Sequence, residues 1–491
     1  MELIQQEYKF YTPFTGKIST FTETTDMIIP DSFPDFDETI FSCASINVKD
    51  ELKQPGRILI SGQIDAVVLY RSFSEKNPYH LNIPLSFAYV EETKGLTDQA
   101  IHFIQYDVTQ VDVRIINSRK INVTCTCSIF PQAMEPSYNT VTRDIEIGDS
   151  QTQIRSQRKT LQMITAAEST RFVILDDIEA SSSETGALLH ASIEFQNTDC
   201  TVSNGRILLN GSVRLHIWEL NNNSVIVCRM HTVPFHQVLE ANTLNNNVPT
   251  QVRLSCHSMI CHYSNSEVLS VNFNTEALFW QETEQTIEWI EDLYDPEKDL
   301  RTVFHSLPAF STASTFPFTS SAEEIITVPW EISSILSAET KIVSILPSSG
   351  KELKAIAAFS MLCADENLDL HHMQKQQTVS FLPDDMEQLG ELIDFKCICE
   401  TSVQNKQVVL QIRLSGSFII LHSECINNLE EITTVSDINK SDFPVKLLFI
   451  RESSPLWKIA KDNRSTVSKI KECNALPQNT DEISNMTILV P

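Results

Sequence analysis

Short runs in which every second residue is apolar recur along this chain, and this pattern predicts β-strands. The alternation is clearest at residues 111–115, which read VDVRI, and around Leu410, Ile412 and Leu414. A period of two places the apolar side chains on one face of a strand. No comparable helical stripe runs through these segments, so the predicted fold class is mainly β.

One heptapeptide occurs twice, as GRILISG at residues 56–62 and as GRILLNG at residues 205–211. The two copies lie 149 residues apart (205 − 56), and residues 83–85 (IPL) match residues 233–235 (VPF) at an offset of 150 (233 − 83). Constant offsets of this kind indicate homologous strands in repeated modules. We expect the glycines to serve backbone geometry, as bends or as points of close strand approach.

The repeats and the length of 491 residues predict several domains, since single cores stop growing at roughly 250–300 residues. We expect tandem β-sandwich-like modules, two clear and one degenerate, followed by a small β-α-α-β domain. The third copy keeps a first glycine, Gly350, and lacks the second.

The predicted divisions are an N-terminal segment 1–26, module one 27–135, a linker 136–165, module two 166–284, an acidic helix with a Ser/Thr/Pro-rich linker 285–324, module three 325–440 and a terminal domain 445–491. The strands expected in the modules are 57–70, 81–89, 108–116 and 120–129, then 206–219, 225–235, 251–262 and 267–280, then 354–363, 377–381, 395–402 and 408–422.

Two connecting segments carry patterns of their own. Residues 287–299 are acidic and place four apolar side chains, from Trp289 to Tyr294, at helical spacing. This predicts a short packing helix. Residues 306–322 are rich in Ser, Thr, Pro and Phe, a composition typical of a linker. A motif that binds a partner is the alternative interpretation of either segment.

The last residues follow a different pattern from the modules. A strand at 445–450, helices at 456–461 and 466–471, and a closing strand at 487–491 are expected. Thr466 stands at the start of the second helix, where its hydroxyl can accept a backbone N–H. The terminal domain is therefore predicted to be a β-α-α-β unit.

Charge limits the partners that this chain can have. The 64 acidic residues outnumber the 37 basic ones, for a net charge of −27. This balance argues against a nucleic-acid backbone or an anionic membrane surface as the main partner. No apolar run reaches the roughly 20 residues that span a bilayer, and no secretory leader is recognisable at the start. We therefore expect a cytoplasmic protein.

The cysteines do not form a metal or redox motif. Twelve occur without any C-x-x-C pair, the usual spacing of a zinc knuckle or a redox dithiol. Cys125 and Cys127, like Cys397 and Cys399, stand two residues apart, which places both members of a pair on one face of a strand. We expect these thiols to be buried and reduced.

Sequence motifs for catalysis are absent. The glycines never fall as G-x-G-x-x-G or G-x-x-x-x-G-K, and neither G-x-S-x-G nor H-E-x-x-H occurs. The acidic pairs at 176–177 and 384–385 are interpreted as loop residues, and the histidine pair at 371–372 as part of a polar turn. We predict no enzyme, no cofactor and no metal. A hydrolase site assembled from distant histidines and acids is the alternative.

The terminal domain resembles a LysM module. The residues that match are Leu456-Trp457-Lys458-Ile459-Ala460, Thr466-Val467, Ile470, Asn474 and Ile488-Leu489-Val490-Pro491. Two loops depart from the family pattern, with Ser453-Ser454-Pro455 in place of Gly-Asp-Thr and Asn485 in place of a Pro-Gly step. These departures argue against glycan binding.

The β modules resemble the SPOCS domain of spore-forming bacteria, through the acidic start at residues 29–35 (IPDSFPD) and the strand at residues 56–62. Tandem SPOCS domains closed by a LysM domain are similar to the SipL type of clostridial spore morphogenetic protein. The resemblance implies a non-catalytic scaffold or adaptor in spore coat assembly, located in the mother cell at the forespore surface. It also implies docking, through the LysM domain, to a coat morphogenetic ATPase of the SpoIVA class.

A partner is therefore expected to contact the terminal domain. Residues 446–491 carry seven Lys/Arg and five Asp/Glu, a small basic excess on an acidic chain. Trp457 is a candidate anchor because Trp is enriched in binding hot spots, and packing in a core is its alternative role. The candidate partner-binding residues are Leu456, Trp457, Lys458, Lys461, Asn463, Arg464, Lys469 and Asn474. Binding of peptidoglycan by the same domain is the alternative function, and open edge strands would allow self-association.

Overall fold

The computed structural model describes residues 2–491 with the exception of 74–76, 147–150, 180–185, 222–224, 266–267, 347–350, 368, 384–389, 405 and 438–444. Most of the described chain forms antiparallel β-strands, and two short helices lie near the C-terminus. The prediction of a mainly β fold is confirmed. Every strand predicted in the modules overlaps an observed strand.

Module one packs a three-stranded sheet against three strands of a seven-stranded sheet that it shares with module two, and a common core lies between them. The first strands are β1 (Leu3–Thr15), β2 (Ser19–Ile28), β3 (Glu38–Gln54), β4 (Arg57–Arg71), β5 (Tyr79–Glu92), β6 (Ile101–Asn117) and β7 (Lys120–Ile145). One sheet has the order β3-β4-β5, and in the other β7 pairs with β2 and β6. Ile64, Val68 and Tyr70 of β4 pack in the core with Val123 and Cys127 of β7.

Module two repeats this arrangement. Its strands are β8 (Gln153–Glu179), β9 (Ala187–Ser203), β10 (Arg206–Leu220), β11 (Ile226–Glu240), β12 (Thr250–Asn265) and β13 (Val268–Tyr294). β13 pairs with β8 and β12, and the second sheet has the order β11-β10-β9. Val213, Leu215 and Ile217 of β10 pack against Val271 and Phe273 of β13. The strand order matches that of module one.

Module three follows the same scheme although it lacks the second glycine. Its strands are β14 (Lys298–Thr327), β15 (Ile332–Leu346), β16 (Leu353–Asp365), β17 (Leu370–Phe381), β18 (Glu391–Gln404) and β19 (Gln407–Asp437). β19 pairs with β14 and β18, and the other sheet has the order β15-β16-β17. Phe359 and Met361 of β16 share a core with Leu410 and Ile412 of β19. Gly350 lies outside the described residues.

The repeated glycines serve geometry in modules one and two. Gly56 and Gly205 have φ values of +74° and +70° and lie in the turns that precede β4 and β10. Gly62 and Gly211 lie beneath aromatic rings of the neighbouring strand, where a Cβ atom would come within 2.8 Å of the ring. The heptapeptide therefore marks a tight turn followed by a close strand approach.

Three strand pairs continue beyond the module cores as two-stranded arms. The first arm joins β1 to the second half of β7, the second joins the start of β8 to the end of β13, and the third joins the start of β14 to the end of β19. Tyr8 of the first arm, Leu161 and Ile287 of the second and Ile426 of the third share one hydrophobic cluster. The arms therefore pack on one another and bind the modules into a single body.

The modules also meet directly. Phe41 and Leu69 of module one, Trp218 of module two and Leu362 of module three form a buried cluster. Leu69, Trp218 and Leu362 belong to the corresponding strands β4, β10 and β16. The three modules thus contact one another through equivalent strands.

The helix predicted at residues 287–299 is wrong. Residues up to Tyr294 belong to β13, and the four apolar side chains from Trp289 to Tyr294 are all buried. The pairing of β13 with β8 shifts register between Ile290 and Asp292. This irregularity interrupts the alternation of buried and exposed residues in β13. Both faces of this part of β13 are also buried between the arms. The apolar residues therefore fall at the spacing expected of a helix.

The segments interpreted as connections are also strands. The predicted linker 136–165 contains the end of β7 and the start of β8, and the predicted linker 306–322 lies within β14. The predicted N-terminal segment 1–26 contains β1 and most of β2. These segments are polar because the arms expose one side to solvent, and polar composition alone does not exclude a strand.

The terminal domain has the predicted β-α-α-β order. Its elements are β20 (Lys446–Ile450), β21 (Ser454–Pro455), α1 (Leu456–Asp462), α2 (Val467–Cys473), β22 (Glu482–Ile483) and β23 (Met486–Val490). Thr466 Oγ1 accepts a hydrogen bond from the Lys469 backbone N–H at 3.2 Å, so the predicted cap is confirmed. Leu456, Ile459 and Ile488 pack in the core of this domain.

Candidate functional site

The candidate residues of the terminal domain have different environments. Leu456 is buried in the core, and Trp457 is half-buried. The side-chain amides of Asn463 and Asn474 donate to the carbonyl oxygens of Ile459 and Ile470, so both residues finish helices. The candidates whose side chains are exposed are Lys458, Lys461, Arg464 and Lys469.

Trp457 and Lys461 contact the body of the protein. Trp457 Nε1 donates to Asp292 Oδ2 at 2.8 Å, and Lys461 Nζ donates to Asp292 Oδ1 at 2.6 Å. Burial would raise the pKa of Asp292, but the hydrogen bonds from Lys461 and Trp457 outweigh it and hold this pKa below its usual value. The charged side chain of Asp292 thus links the second arm to helix α1.

Aromatic contacts add to this link between the second arm and the terminal domain. Tyr294 meets the Trp457 ring edge-on with 5.0 Å between centroids, and its hydroxyl donates to the Ser465 carbonyl oxygen at 2.9 Å. The Arg155 guanidinium lies 5.6 Å from the centre of the Trp457 ring. Trp457 also packs against the core of the terminal domain, which is the alternative role, and its polar and aromatic contacts are with the second arm of the same chain.

The sequence interpretation missed an exposed apolar surface on the opposite side of the domain. Leu448 and Ile450 of β20 pack inward against the helices, whereas Leu447 and Phe449 point outward and are 70% and 63% exposed. Leu489 of β23 pairs with Leu447 and is 42% exposed. We name these three residues the outer apolar face. The sequence does contain a feature that could have indicated this surface, because every residue of β20 from 447 to 450 is apolar.

One buried cluster has a composition that could hold a metal ion. Glu51 of β3, His257 of β12 and Glu276 of β13 bring potential ligand atoms within 4.8 Å of one another. Their side chains are almost fully buried. Two carboxylates and an imidazole are a donor set that zinc accepts.

The geometry of this cluster favours an ionic link instead. His257 Nε2 lies 2.8 Å from Glu276 and Nδ1 lies 3.4 Å from Glu51, so each ring nitrogen faces a different carboxylate. A metal ion would bind one nitrogen and draw both carboxylates to it. Arg171 forms an ion pair with Glu51 and lies 3.9 Å from Glu276. Arg171 therefore supplies positive charge to the two carboxylates, and the cluster joins module one to module two.

The histidine pair at 371–372 lies in strand β17, so the predicted polar turn is wrong. His371 Nε2 is 3.1 Å from Asp365, and His372 Nε2 is 2.9 Å from the Ser360 hydroxyl. Burial lowers the pKa of His372 to about 4, which makes it a weak base. The acidic pair at 176–177 lies in β8 and not in a loop, and the pair at 384–385 lies outside the described residues.

All twelve cysteines are free, and Cys125, Cys127, Cys200 and Cys363 are buried. The prediction of burial is confirmed for Cys125 and Cys127, whereas Cys397 and Cys399 are half-buried. In the described part of the chain, no helix has the length and apolar character needed to cross a membrane.

Comparison with family models, with curated proteins and with solved structures returned no match to this chain.

Proposed function

We propose that this chain is a non-catalytic scaffold of spore coat assembly that docks, through its terminal domain, to a coat morphogenetic ATPase of the SpoIVA class. The observation that carries the proposal is the outer apolar face, which leaves Leu447, Phe449 and Leu489 exposed on a small domain. Contiguous exposed apolar residues are typical of protein interaction sites. The similarity of the modules to SPOCS domains and of the terminal domain to LysM supports the spore coat context.

The anchoring of the terminal domain supports the choice of this face. Helix α1 is held by Asp292 through Trp457 and Lys461, while the outer apolar face lies on the side of the sheet away from the helices. Lys446 and Arg451 are exposed at the two ends of β20. The partner surface is therefore proposed to be apolar at its centre and acidic at its rim.

The body supports a structural role in the proposed assembly. Three modules share buried contacts through their corresponding strands, and three arms pack together beside them. Such a body holds its surfaces at fixed separations, which suits a scaffold in the mother cell at the forespore surface. The terminal domain then supplies the docking contact.

The test compares two exposed apolar residues in the full-length chain. Phe449→Asp places a charge on the outer apolar face, and Leu175→Asp places the same charge at a 69% exposed position of β8 in module two. We expect Phe449→Asp to weaken binding to the purified ATPase at least tenfold and to abolish recruitment to the forespore. Leu175→Asp should behave as wild type.

Equal binding by Phe449→Asp and wild type, with both proteins folded by circular dichroism, would contradict the proposed docking face. Retention on purified peptidoglycan is measured in parallel. Retention that depends on residues 446–491 would favour the alternative function of a cell-wall protein.

A further inference from the structure

The two main strands of the terminal domain differ in what their outer edges contact. β20 and β23 form a two-stranded sheet, so each strand has one edge that the other does not cover. On β23, the Leu489 N–H donates to Asn474 Oδ1 at 2.7 Å, and Asn474 Nδ2 donates to the Leu489 carbonyl oxygen at 2.6 Å. The Asn474 amide thus takes the place of a neighbouring strand and closes the edge of β23.

The edge of β20 is open among the described residues. Residues of an antiparallel pair alternate between those that bond across the pair and those whose N–H and C=O groups point away from it. Leu489 is of the second kind because its backbone groups reach Asn474, and it pairs with Leu447. The backbone groups of Leu447, and of Phe449 two residues later, therefore point away from β23 to the open edge.

The open edge and the outer apolar face meet at the same two residues, because Leu447 and Phe449 also carry exposed side chains. Proteins commonly protect an exposed edge with a proline, a bulge or a charged residue within the strand. β20 pairs with β23 without a register shift, and Lys446 at its start is followed by four apolar residues. A helix laid on the outer apolar face would leave the edge groups to water, whereas an added strand would cover both.

The ends of β20 indicate the charge of such a strand. Lys446 and Arg451 are exposed, and neither forms an ion pair within the part of the chain that the structure describes. Lys461 of the same domain, by contrast, pairs with Asp292. Opposite charges that face each other across two strands stabilise the pairing. Acidic residues beside Lys446 and Arg451 are therefore favoured in the added strand.

We propose that the edge of β20 binds an extended segment of the docking partner, which adds to the sheet as an antiparallel strand. The segment begins with an acidic residue opposite Arg451 and ends with one opposite Lys446. Apolar residues stand opposite Phe449 and Leu447, and because opposite side chains share a face, they extend the outer apolar face. The pattern is acid-x-apolar-x-apolar-acid. This inference rests on the docking role proposed for the terminal domain and adds the partner's backbone conformation and sequence pattern.

The test titrates the full-length chain with the hexapeptide ESVTVD, which has this pattern, and with VVESTD, which has the same composition without it. We expect one molecule of ESVTVD to bind per chain and VVESTD to bind at least tenfold more weakly. Amide hydrogen exchange, measured by NMR, should slow at Leu447 and Phe449 when ESVTVD binds. The amide of Leu448, which the alternation directs to β23, should change little.

Two variants separate the edge from the face. Leu447→Pro removes the N–H at the open edge, and Leu447→Ala keeps this N–H while it shortens the side chain. Proline is tolerated in an edge strand where the N–H faces solvent, so the domain should fold. We expect Leu447→Pro to weaken ESVTVD binding at least tenfold more than Leu447→Ala does.

Four outcomes would overturn the proposal. Three of them are no binding of ESVTVD, equal binding by the two Leu447 variants, and unchanged exchange of the Leu447 and Phe449 amides. The fourth is self-association of the chain that Leu447→Pro abolishes, which would assign the edge to a second copy. If Leu447→Pro does not fold, amide exchange in the wild type decides. Loss of ATPase binding by Phe449→Asp without any binding of ESVTVD would reject the added strand and leave the docking face in place.

Discussion

Trp457 of the terminal domain and Asp292 of the second arm are joined by a hydrogen bond of 2.8 Å from the indole Nε1 to Oδ2. The same carboxylate accepts from Lys461 at 2.6 Å through its other oxygen. One acidic side chain thus links helix α1 of the terminal domain to the second arm. Because this contact occupies Trp457, the surface that remains for a partner is the outer apolar face.

Asp292→Ala should loosen the terminal domain. The substitution removes two hydrogen bonds to a partly buried carboxylate, an effect of about 1–3 kcal/mol after allowance for solvent screening. Because roughly 1.4 kcal/mol changes an equilibrium tenfold, proteolytic release of the 445–491 fragment should be faster by about 5- to 150-fold. Asp462→Ala, at an exposed acid of helix α1, is the control. Equal release rates for the two variants would show that Asp292 does not hold the domain.

The sequence predicted the strands well where each strand has one buried face. Val111 and Leu410 lie in such alternating runs, and both are buried in observed strands. The Thr466 cap was also predictable, because a capping hydroxyl acts on a residue three positions away. These features depend on neighbours in the chain.

The arms and the sites could not be predicted because they depend on contacts between residues that are far apart in the chain. Trp289 and Ile290 are buried by strands that lie far away in sequence, and the register shift before Asp292 removed the alternation that would have marked a strand. Trp457 and Asp292 are 165 residues apart. Glu51 and His257 come from different modules. No local pattern encodes contacts between segments whose approach depends on how three modules pack.

Thiol labelling of the native protein should modify three of the twelve cysteines before the others, with Cys228 slower than Cys425 and Cys473 because burial raises the pKa of Cys228. Cys228, Cys425 and Cys473 are exposed, and the others are buried or half-buried. Burial raises the pKa of Cys125 and of Cys200 to about 12, and a thiol reacts through its thiolate. The measurement is Ellman's assay before and after addition of guanidinium chloride, and denaturation should reveal all twelve. A denatured count below twelve would indicate a disulfide and contradict the free thiols.

Buried His102 should make the protein less stable in mild acid. It is 2% exposed, both ring nitrogens lack partners, and burial together with the nearby Lys53 lowers its pKa to about 4. Between the ordinary pKa of 6.5 and about 4, the unfolded chain takes up a proton that the folded chain does not bind. Stability is therefore lost as the pH falls through this window, by about 3 kcal/mol in total.

The variant His102→Leu isolates this effect. Thermal unfolding midpoints are measured from pH 7.5 to pH 4 for wild type and variant, since the carboxylates that titrate at low pH are common to both. We expect the variant to gain stability relative to wild type as the pH falls below 6.5. Parallel curves would show that His102 does not resist protonation in the folded state.

A methyl group added at Gly62 should destabilise the protein more than a methyl group added at Gly211. A Cβ on Gly62 would lie 2.2 Å from the Asn47 backbone oxygen, which cannot move without disturbing β3. A Cβ on Gly211 would meet the Phe235 ring at 2.6 Å, and its nearest backbone atom is 3.4 Å away. We expect Gly62→Ala to destabilise by about 3 kcal/mol or more and Gly211→Ala by about 1–3 kcal/mol.

A double-mutant cycle tests the cause of this difference. Phe235→Leu removes the ring edge that the new Cβ atom meets, so Gly211→Ala combined with Phe235→Leu should be less destabilised than the sum of the two single variants in urea unfolding. The corresponding Phe87→Leu should rescue Gly62→Ala much less, because the contact with the Asn47 oxygen persists. Equal rescue at both positions would mean that the ring, and not the backbone, sets the need for glycine in module one. It would also mean that the two heptapeptides impose the same constraint.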